Sequence, residues 1–245
     1  MTTTQTSDTP TSRAVIYIPD REFLLPYFRR QLPDYSIETE IPSDGTDVSL
    51  AVMISSTDVY DAASGHMLTE ETPLRASSPW RDREEKWRVF CEASGLPCTV
   101  VRCPEIVATA MNGLPMRMAR GIARGMLMHI RGNQGCLSLV HGVDVARLSV
   151  MPAVQGHTFN LTDGQETKVD DLLDALAFRI KDKHLYTLKS MTVARLLYGS
   201  DYFGQMTRQL TFSNELFRTL AGQDITAPNI VTEYLRTHVY DENSL

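Results

Sequence analysis

The chain has 245 residues, 42% hydrophobic and 22% charged, enough for one large or two small domains with a real core and too apolar for a disordered or fibrous protein. Twenty-four Lys plus Arg against thirty Asp plus Glu leave a net charge of −6, which argues against nucleic acid as a partner because phosphate binding needs a cationic surface. Eight of residues 1–12 are Ser or Thr, with no large apolar group to bury, so a disordered tail is expected there. The start lacks a charged and then apolar leader, and no apolar run approaches the roughly 18 residues of a membrane span, so the expectation is a cytoplasmic protein with no membrane partner. The cysteines, Cys91, Cys98, Cys103 and Cys136, lie 7, 5 and 33 residues apart. That spacing fits neither a CxxC redox pair nor a paired-CxxC zinc site, so reduced thiols and no metal are expected.

Residues 14–18 (AVIYI) form a β-branched run stopped by Pro19, and Phe23, Leu24, Tyr27, Phe28 and Gln31 follow with helical spacing. A weak strand at 36–41 ends at Pro42, the cluster 43–45 turns the chain, and 48–54 (VSLAVMI) is apolar throughout, as a strand covered on both faces would be. Ser78 and Pro79 open a helix, with the Ser78 hydroxyl expected to cap it and Gly95 to stop it. A strand at 98–102 comes next, then a Met-rich amphipathic stretch at 111–130, a strand at 137–140, a short helix at 143–150 and a strand at 158–161. Beyond these the pattern is mainly helical: 167–180, opened by a Thr167–Asp170 capping box, then 191–198, 214–221 and 229–239. Strands alternating with helices predict a parallel α/β sheet with a small C-terminal lobe.

Several segments then resemble, in order, those of one family. Ser55-Ser56-Thr57-Asp58-Val59-Tyr60 is similar to S-S-x-x-V-Y-G, residues 69–74 to T-E-x-x-P, Ser78-Pro79-Trp80 to S-P-Y, and 95–102 to G-L-P-x-x-x-x-R. Residues 140–146 are similar to V-H-V-D-D-V-A and 159–164 to Y-N-I-x-x-G, while 210–213 echo the C-terminal part. These are motifs of the extended short-chain dehydrogenases/reductases, the NAD-dependent epimerases and dehydratases of sugar nucleotides. The resemblance implies a shortened Rossmann-like parallel sheet with a small, mainly helical C-terminal lobe. It divides the chain into a tail (1–12), a truncated Rossmann-like domain (13–163, with 106–138 contributing to a substrate lobe) and the C-terminal lobe (164–245).

The family's chemistry rests on Tyr-x-x-x-Lys along one helix, with Lys one turn from Tyr, lowering its pKa and holding the nicotinamide ribose. Trp80 and Glu84 stand at those positions, and none of the nine tyrosines has Lys four residues later. An indole does not exchange a proton near neutral pH, and a carboxylate raises a phenol's pKa. Lys86 is turned about 240° from Trp80 on the same helix. Of the family-equivalent positions Ser56, Trp80 and Glu84, only the Ser56 hydroxyl keeps its type. The turn after the first strand reads Pro19-Asp20-Arg21-Glu22, without glycine, where a pyrophosphate loop needs one, and Asp20 and Glu22 add negative charge. The interval from Ala14 to Ser55 is also about two βα units too short for the family, as though the adenine half were deleted. Pro104 remains of the P-x-x-x-x-G-P loop, but its Gly-Pro is missing from the residues that follow.

No cofactor is therefore expected, and NAD or NADP only if the site has been rebuilt. His129 and His141 lack partners at ligand spacing and are read as structural. Residues 106–143 contain no Asp or Glu, and Arg117, Arg120, Arg124 and Arg131 fall on one helical face if the helix persists through Gly121 and Gly125. Arg117, Arg120 and Arg124 are candidates for a phosphorylated or nucleotide-sugar ligand, since guanidinium groups match diphosphate oxygens, against the alternative of a solvated basic face. The preferred reading is a non-redox binding, scaffold or regulatory protein, as a homodimer or paired with an active homologue. The alternative is a divergent sugar-nucleotide epimerase, dehydratase or reductase with a rebuilt site.

Overall fold

The computed structural model describes residues 13–108, 113–181 and 185–222. The expectations for the tail and for 229–239 lie outside them. The chain opens with β1 (Arg13–Tyr17), α1 (Leu25–Gln31), β2 (Ser36–Glu38), β3 (Val48–Ser56), β4 (Gly65–Leu68), α2 (Pro79–Ala93) and β5 (Cys98–Cys103). It continues through β6 (Glu105–Val107), α3 (Gly113–Ala123), β7 (His129–Ile130), β8 (Cys136–Leu137), β9 (Leu139–His141), α4 (Gly142–Leu148) and β10 (Thr158–Asn160). The remainder is β11 (Thr167–Lys168), α5 (Val169–Lys181), β12 (Thr187–Leu188), α6 (Met191–Tyr198), α7 (Ser200–Thr207), β13 (Gln209–Phe212) and α8 (Glu215–Ala221).

The main sheet runs β2-β1-β3-β5-β10, with every pair parallel. Its interior strands alternate with period two between faces that are both apolar. Ile16, Val52, Val101 and Phe159 point to the side packed by Phe28 of α1, Val145 of α4 and Phe217 of α8. Val15, Tyr17, Met53 and Val100 point to the side covered by Trp87 and Cys91 of α2. Only α1 and the short edge strand β2 occupy the interval between β1 and β3, so the sheet stops one strand beyond β1. The order reverses direction between β1 and β3, which makes their carboxyl ends the place where an open α/β sheet binds its ligand.

The lobe adds a mixed sheet, β11-β8-β13-β4, and a helical layer in which α3 and α5 share a core of Met118, Ile122, Leu172 and Leu176. The apolar run at 137–140 is not one strand. It divides at Ser138: β8 joins the mixed sheet, while β9 pairs with β6 in the register Glu105↔Leu139. The Ser138 hydroxyl accepts from the Phe212 amide at 2.9 Å and holds the break. Nor does Ser78 cap α2; its hydroxyl donates to the Asp58 carbonyl at 3.1 Å, tying the helix start to the end of β3. No helix among the described residues is long and apolar enough to cross a membrane.

Candidate functional site

A cavity of about 270 Å³ lies at the carboxyl ends of β1, β3 and β5, where the reversal of strand order places it, and is closed on the lobe side by β8, α7 and β13. Asp20, Arg21 and Phe23 reach it from the turn after β1, Ser56 from the end of β3, Asp58 from the turn that follows it, Trp80 from the first turn of α2, and Glu105 from the segment after β5. Asp20 is in the left-handed region at φ 51°, which Asp tolerates better than most side chains, and it pairs with Arg83. That turn sends Arg21 inward. Arg21 is 9% exposed, and its guanidinium donates through Nη2 to the Cys103 carbonyl at 3.3 Å and stacks 5.1 Å from the Trp80 ring centre, with Arg83 at 5.0 Å from the same ring. Its Nη1 is buried with no hydrogen-bond acceptor among the described residues. Burial lowers the Arg21 pKa, against the opposing influence of Cys103, Asp58 and Glu105.

Glu105 is the tuned acid of the cavity. Desolvation first, and the charge of Asp58 second, push its carboxyl up to about 7, although the Leu114 amide donates to it at 3.2 Å and Arg208 and Arg21 pull the other way. A Cβ on Gly113 would stand 2.4 Å from the Glu105 carboxylate, so the close approach of α3 depends on glycine. A carboxyl that is half-protonated near neutral pH can donate or accept a proton there, which is the property expected of a general acid or base.

The three family-equivalent positions separate. Ser56 and Trp80 meet at the cavity, with the Ser56 hydroxyl accepting from the Asp58 amide at 3.2 Å. Glu84, one turn beyond Trp80, points into the protein instead. It makes two hydrogen bonds with Arg102, at 2.7 and 3.0 Å, and accepts from the Ser55 hydroxyl at 2.6 Å. The ion pair is 4% and 2% exposed. Arg102 in turn donates to the Tyr60 hydroxyl at 3.2 Å, which donates to Asn160 at 2.6 Å. Burial alone would lower the Arg102 pKa, but the hydrogen bonds and charge of Glu84 outweigh it and the pKa rises.

The arginine expectation needs one correction. Helix α3 ends at Ala123, where Gly125 takes φ 69° and the Met126 amide folds back to the Gly121 carbonyl at 2.9 Å, so Arg131 lies past β7 and off the face. Arg117, Arg120 and Arg124 do line one cleft of about 480 Å³ with Leu197, Tyr198 and Tyr202. Arg117 is engaged, 4.3 Å over the Tyr202 ring and 2.9 Å from Gln205. Arg120 and Arg124 are exposed and have no ion-pair partner among the described residues. His129 lies between Asp174 at 2.8 Å and Asp170 at 3.3 Å, and His141 accepts from the Val143 amide at 3.3 Å as the cap of α4. Sequence reading overlooked Arg21 and Glu105; the signal for Arg21 was a lone cation in a strand-to-helix turn where glycine was sought.

No family model matches the chain, and no curated protein sequence matches it. Solved structures do. A candidate epimerase from Burkholderia cenocepacia superposes with a TM-score of 0.59 at 15% identity, covering 94% of this chain and 100% of the other. UDP-glucuronic acid 4-epimerase from Bacillus cereus, in complex with NAD, gives 0.58 at 14% identity over 93% of this chain and 89% of that one. UDP-glucose 4-epimerase from Thermotoga maritima, with UDP-glucose, gives 0.53 at 18% identity over 77% and 64%. The chain thus has a Rossmann-like α/β fold with a parallel central sheet. More particularly, the fold is like that of these solved epimerase structures.

Proposed function

We propose that the chain is a divergent, shortened, cytoplasmic member of the epimerase/dehydratase family that binds a small anionic ligand in the strand-end cavity and performs no NAD-dependent chemistry. The observation that carries this reading is Arg21. A dinucleotide needs open backbone amides in the turn after β1. Here that turn delivers a buried guanidinium against Cys103 and Trp80, and its unpartnered Nη1 suits a carboxylate or phosphate oxygen.

Calorimetric titration with NAD, NADH, NADP and NADPH is expected to show no micromolar binding, and micromolar affinity for any of them would overturn the reading. Thermal-shift measurements with phosphate and small carboxylic acids should find a stabilising anion, since a ligand at a hundred times its Kd adds about 2.7 kcal/mol. That is a rise of roughly 5–10 °C for a chain of this size. Arg21→Ala should remove the shift.

Glu105 favours a second reading, in which the same cavity performs cofactor-free proton transfer with Glu105 as the acid or base. The arginine cleft remains a candidate for a phosphorylated or nucleotide-sugar ligand. With pyrophosphate as probe, Arg120→Lys is expected to weaken binding about tenfold if the guanidinium makes a two-point contact, and to change little if the face is only solvated. A homodimer, or pairing with an active homologue through α2, is part of the regulatory form of the proposal, and sedimentation equilibrium tests the first of these directly.

A further inference from the structure

Three side chains far apart in sequence meet on the mixed sheet of the lobe. His66 stands on β4, Cys136 on β8 and Glu166 just before β11, and one ligand atom of each lies within 4.8 Å of the others. The set combines a thiol, an imidazole and a carboxylate, a donor mixture that Zn²⁺ accepts readily and that Mg²⁺ or Ca²⁺ does not. Tetrahedral zinc holds such donors about 3.5 Å apart, so small side-chain rotations close the set onto an ion.

The surroundings of His66 point the same way. Glu166 Oε1 lies 2.9 Å from Nδ1 and Gln209 Oε1 lies 3.1 Å from Nε2, so an oxygen acceptor faces each ring nitrogen. With Nε2–H donated to Gln209, Nδ1 presents its lone pair towards Glu166, an arrangement that a metal ion held by both would use. Metal-bound histidines characteristically donate the other ring N–H to an oxygen, which is the place of Gln209 here. The carboxylate is oriented likewise, since the Thr211 hydroxyl donates to Glu166 Oε1 at 2.5 Å. Two supporting groups thus hold the two harder ligands, both on β13, the strand between β4 and β8.

We propose that His66, Cys136 and Glu166 form a zinc site with three protein ligands and a fourth position open to water. The ion fastens β4 and β8 across β13 to the start of β11, cross-linking segments that come from both halves of the chain. Binding deprotonates the Cys136 thiol, and the proton passes to solvent as the sulfur–metal bond forms. Cys136 also borders the strand-end cavity, so the ion sits beside that site.

Cobalt(II) gives the test, because a thiolate ligand produces an intense near-ultraviolet charge-transfer band and a tetrahedral site produces strong visible bands. The protein, stripped with chelator and titrated with Co²⁺, is expected to develop both sets of bands at one equivalent and to lose them on addition of Zn²⁺. Cys136→Ser should abolish the charge-transfer band, whereas Cys98→Ser, at the other cysteine that is not fully buried, should leave it unchanged. His66→Ala changes an exposed residue and keeps the test valid if the cysteine variant folds poorly; it should weaken Co²⁺ at least tenfold, as should Glu166→Gln. Gln209→Leu should weaken it by a smaller factor, through the ring orientation alone. Absence of a thiolate band, its survival in Cys136→Ser, or unchanged affinity in both His66→Ala and Glu166→Gln would each overturn the site.

Discussion

Glu84→Gln is expected to lower stability by about 3–5 kcal/mol, the usual cost of removing one partner from a buried ion pair. For a chain of this size the unfolding midpoint falls by roughly 2–4 °C per kcal/mol, so calorimetry should register a drop on the order of 6–20 °C. The cause is Arg102, which is 4% exposed and keeps its charge when Glu84 loses its own. A hydroxyl from Tyr60 cannot replace a bidentate carboxylate. Glu84→Lys, the change that would recreate the family's helix pair in combination with Trp80→Tyr, should be worse, since it sets two cations side by side in the interior. That double variant should show no hydride transfer, and any measurable turnover with NAD would show that the cavity accepts a dinucleotide. Glu84→Met with Arg102→Met removes both charges and should recover most of the loss. A double variant no more stable than Glu84→Gln would mean that the pair's neighbours, Ser55 and Tyr60, dominate the energetics.

Glu105→Gln is expected to stabilise the protein above neutral pH and to do little below about pH 4.5. The carboxyl titrates near 4.5 when unfolded and is pushed up to about 7 in the folded chain, so between those values the folded state holds the extra proton. Stability therefore falls as pH rises from about 4.5 to about 7 and is flat, at its lower level, beyond that. A shift of this size corresponds to an effect on the order of 3 kcal/mol, reduced because the side chain borders an open cavity. Asp163, pushed up to about 6 chiefly by burial, contributes in the same direction over a lower window, from about pH 4 to about 6, and its share survives in the variant. Denaturant unfolding of the native protein and Glu105→Gln from pH 5 to 8.5 separates the two. Parallel curves would show that Glu105 is solvated and would remove the acid/base reading of the cavity.

The sequence by itself determined the sheet. Residues 14–18 and 48–54 are apolar at every or nearly every position and 98–102 at three of five, a pattern that fits short strands covered on both faces, and β1, β3 and β5 lie there. It also determined α6, predicted and found at 191–198, because a periodic face bounded by Ser190 and Gly199 is a local signal. The end of α3 at Ala123 is also a local signal, since Gly125 follows it in the left-handed region.

Function was another matter, because each candidate site is made of residues whose neighbours come from distant segments. Glu84 read as a failed catalytic lysine until the fold set it against Arg102, 18 residues away across α2 and β5. Arg21 became a cavity residue only through the left-handed turn at Asp20, and the Glu105 pKa exists only because α3 closes over it at Gly113. Cys136 shows the same limit from the metal side. Cysteine spacing excludes sites built within one loop, whereas the pairing of β4, β8 and β11 through one sheet brings ligands 30 to 100 residues apart to one place. Local patterns report which faces are buried; long-range pairing, which no local pattern encodes, decides which polar groups meet there and so which charges, protons and ions they can hold.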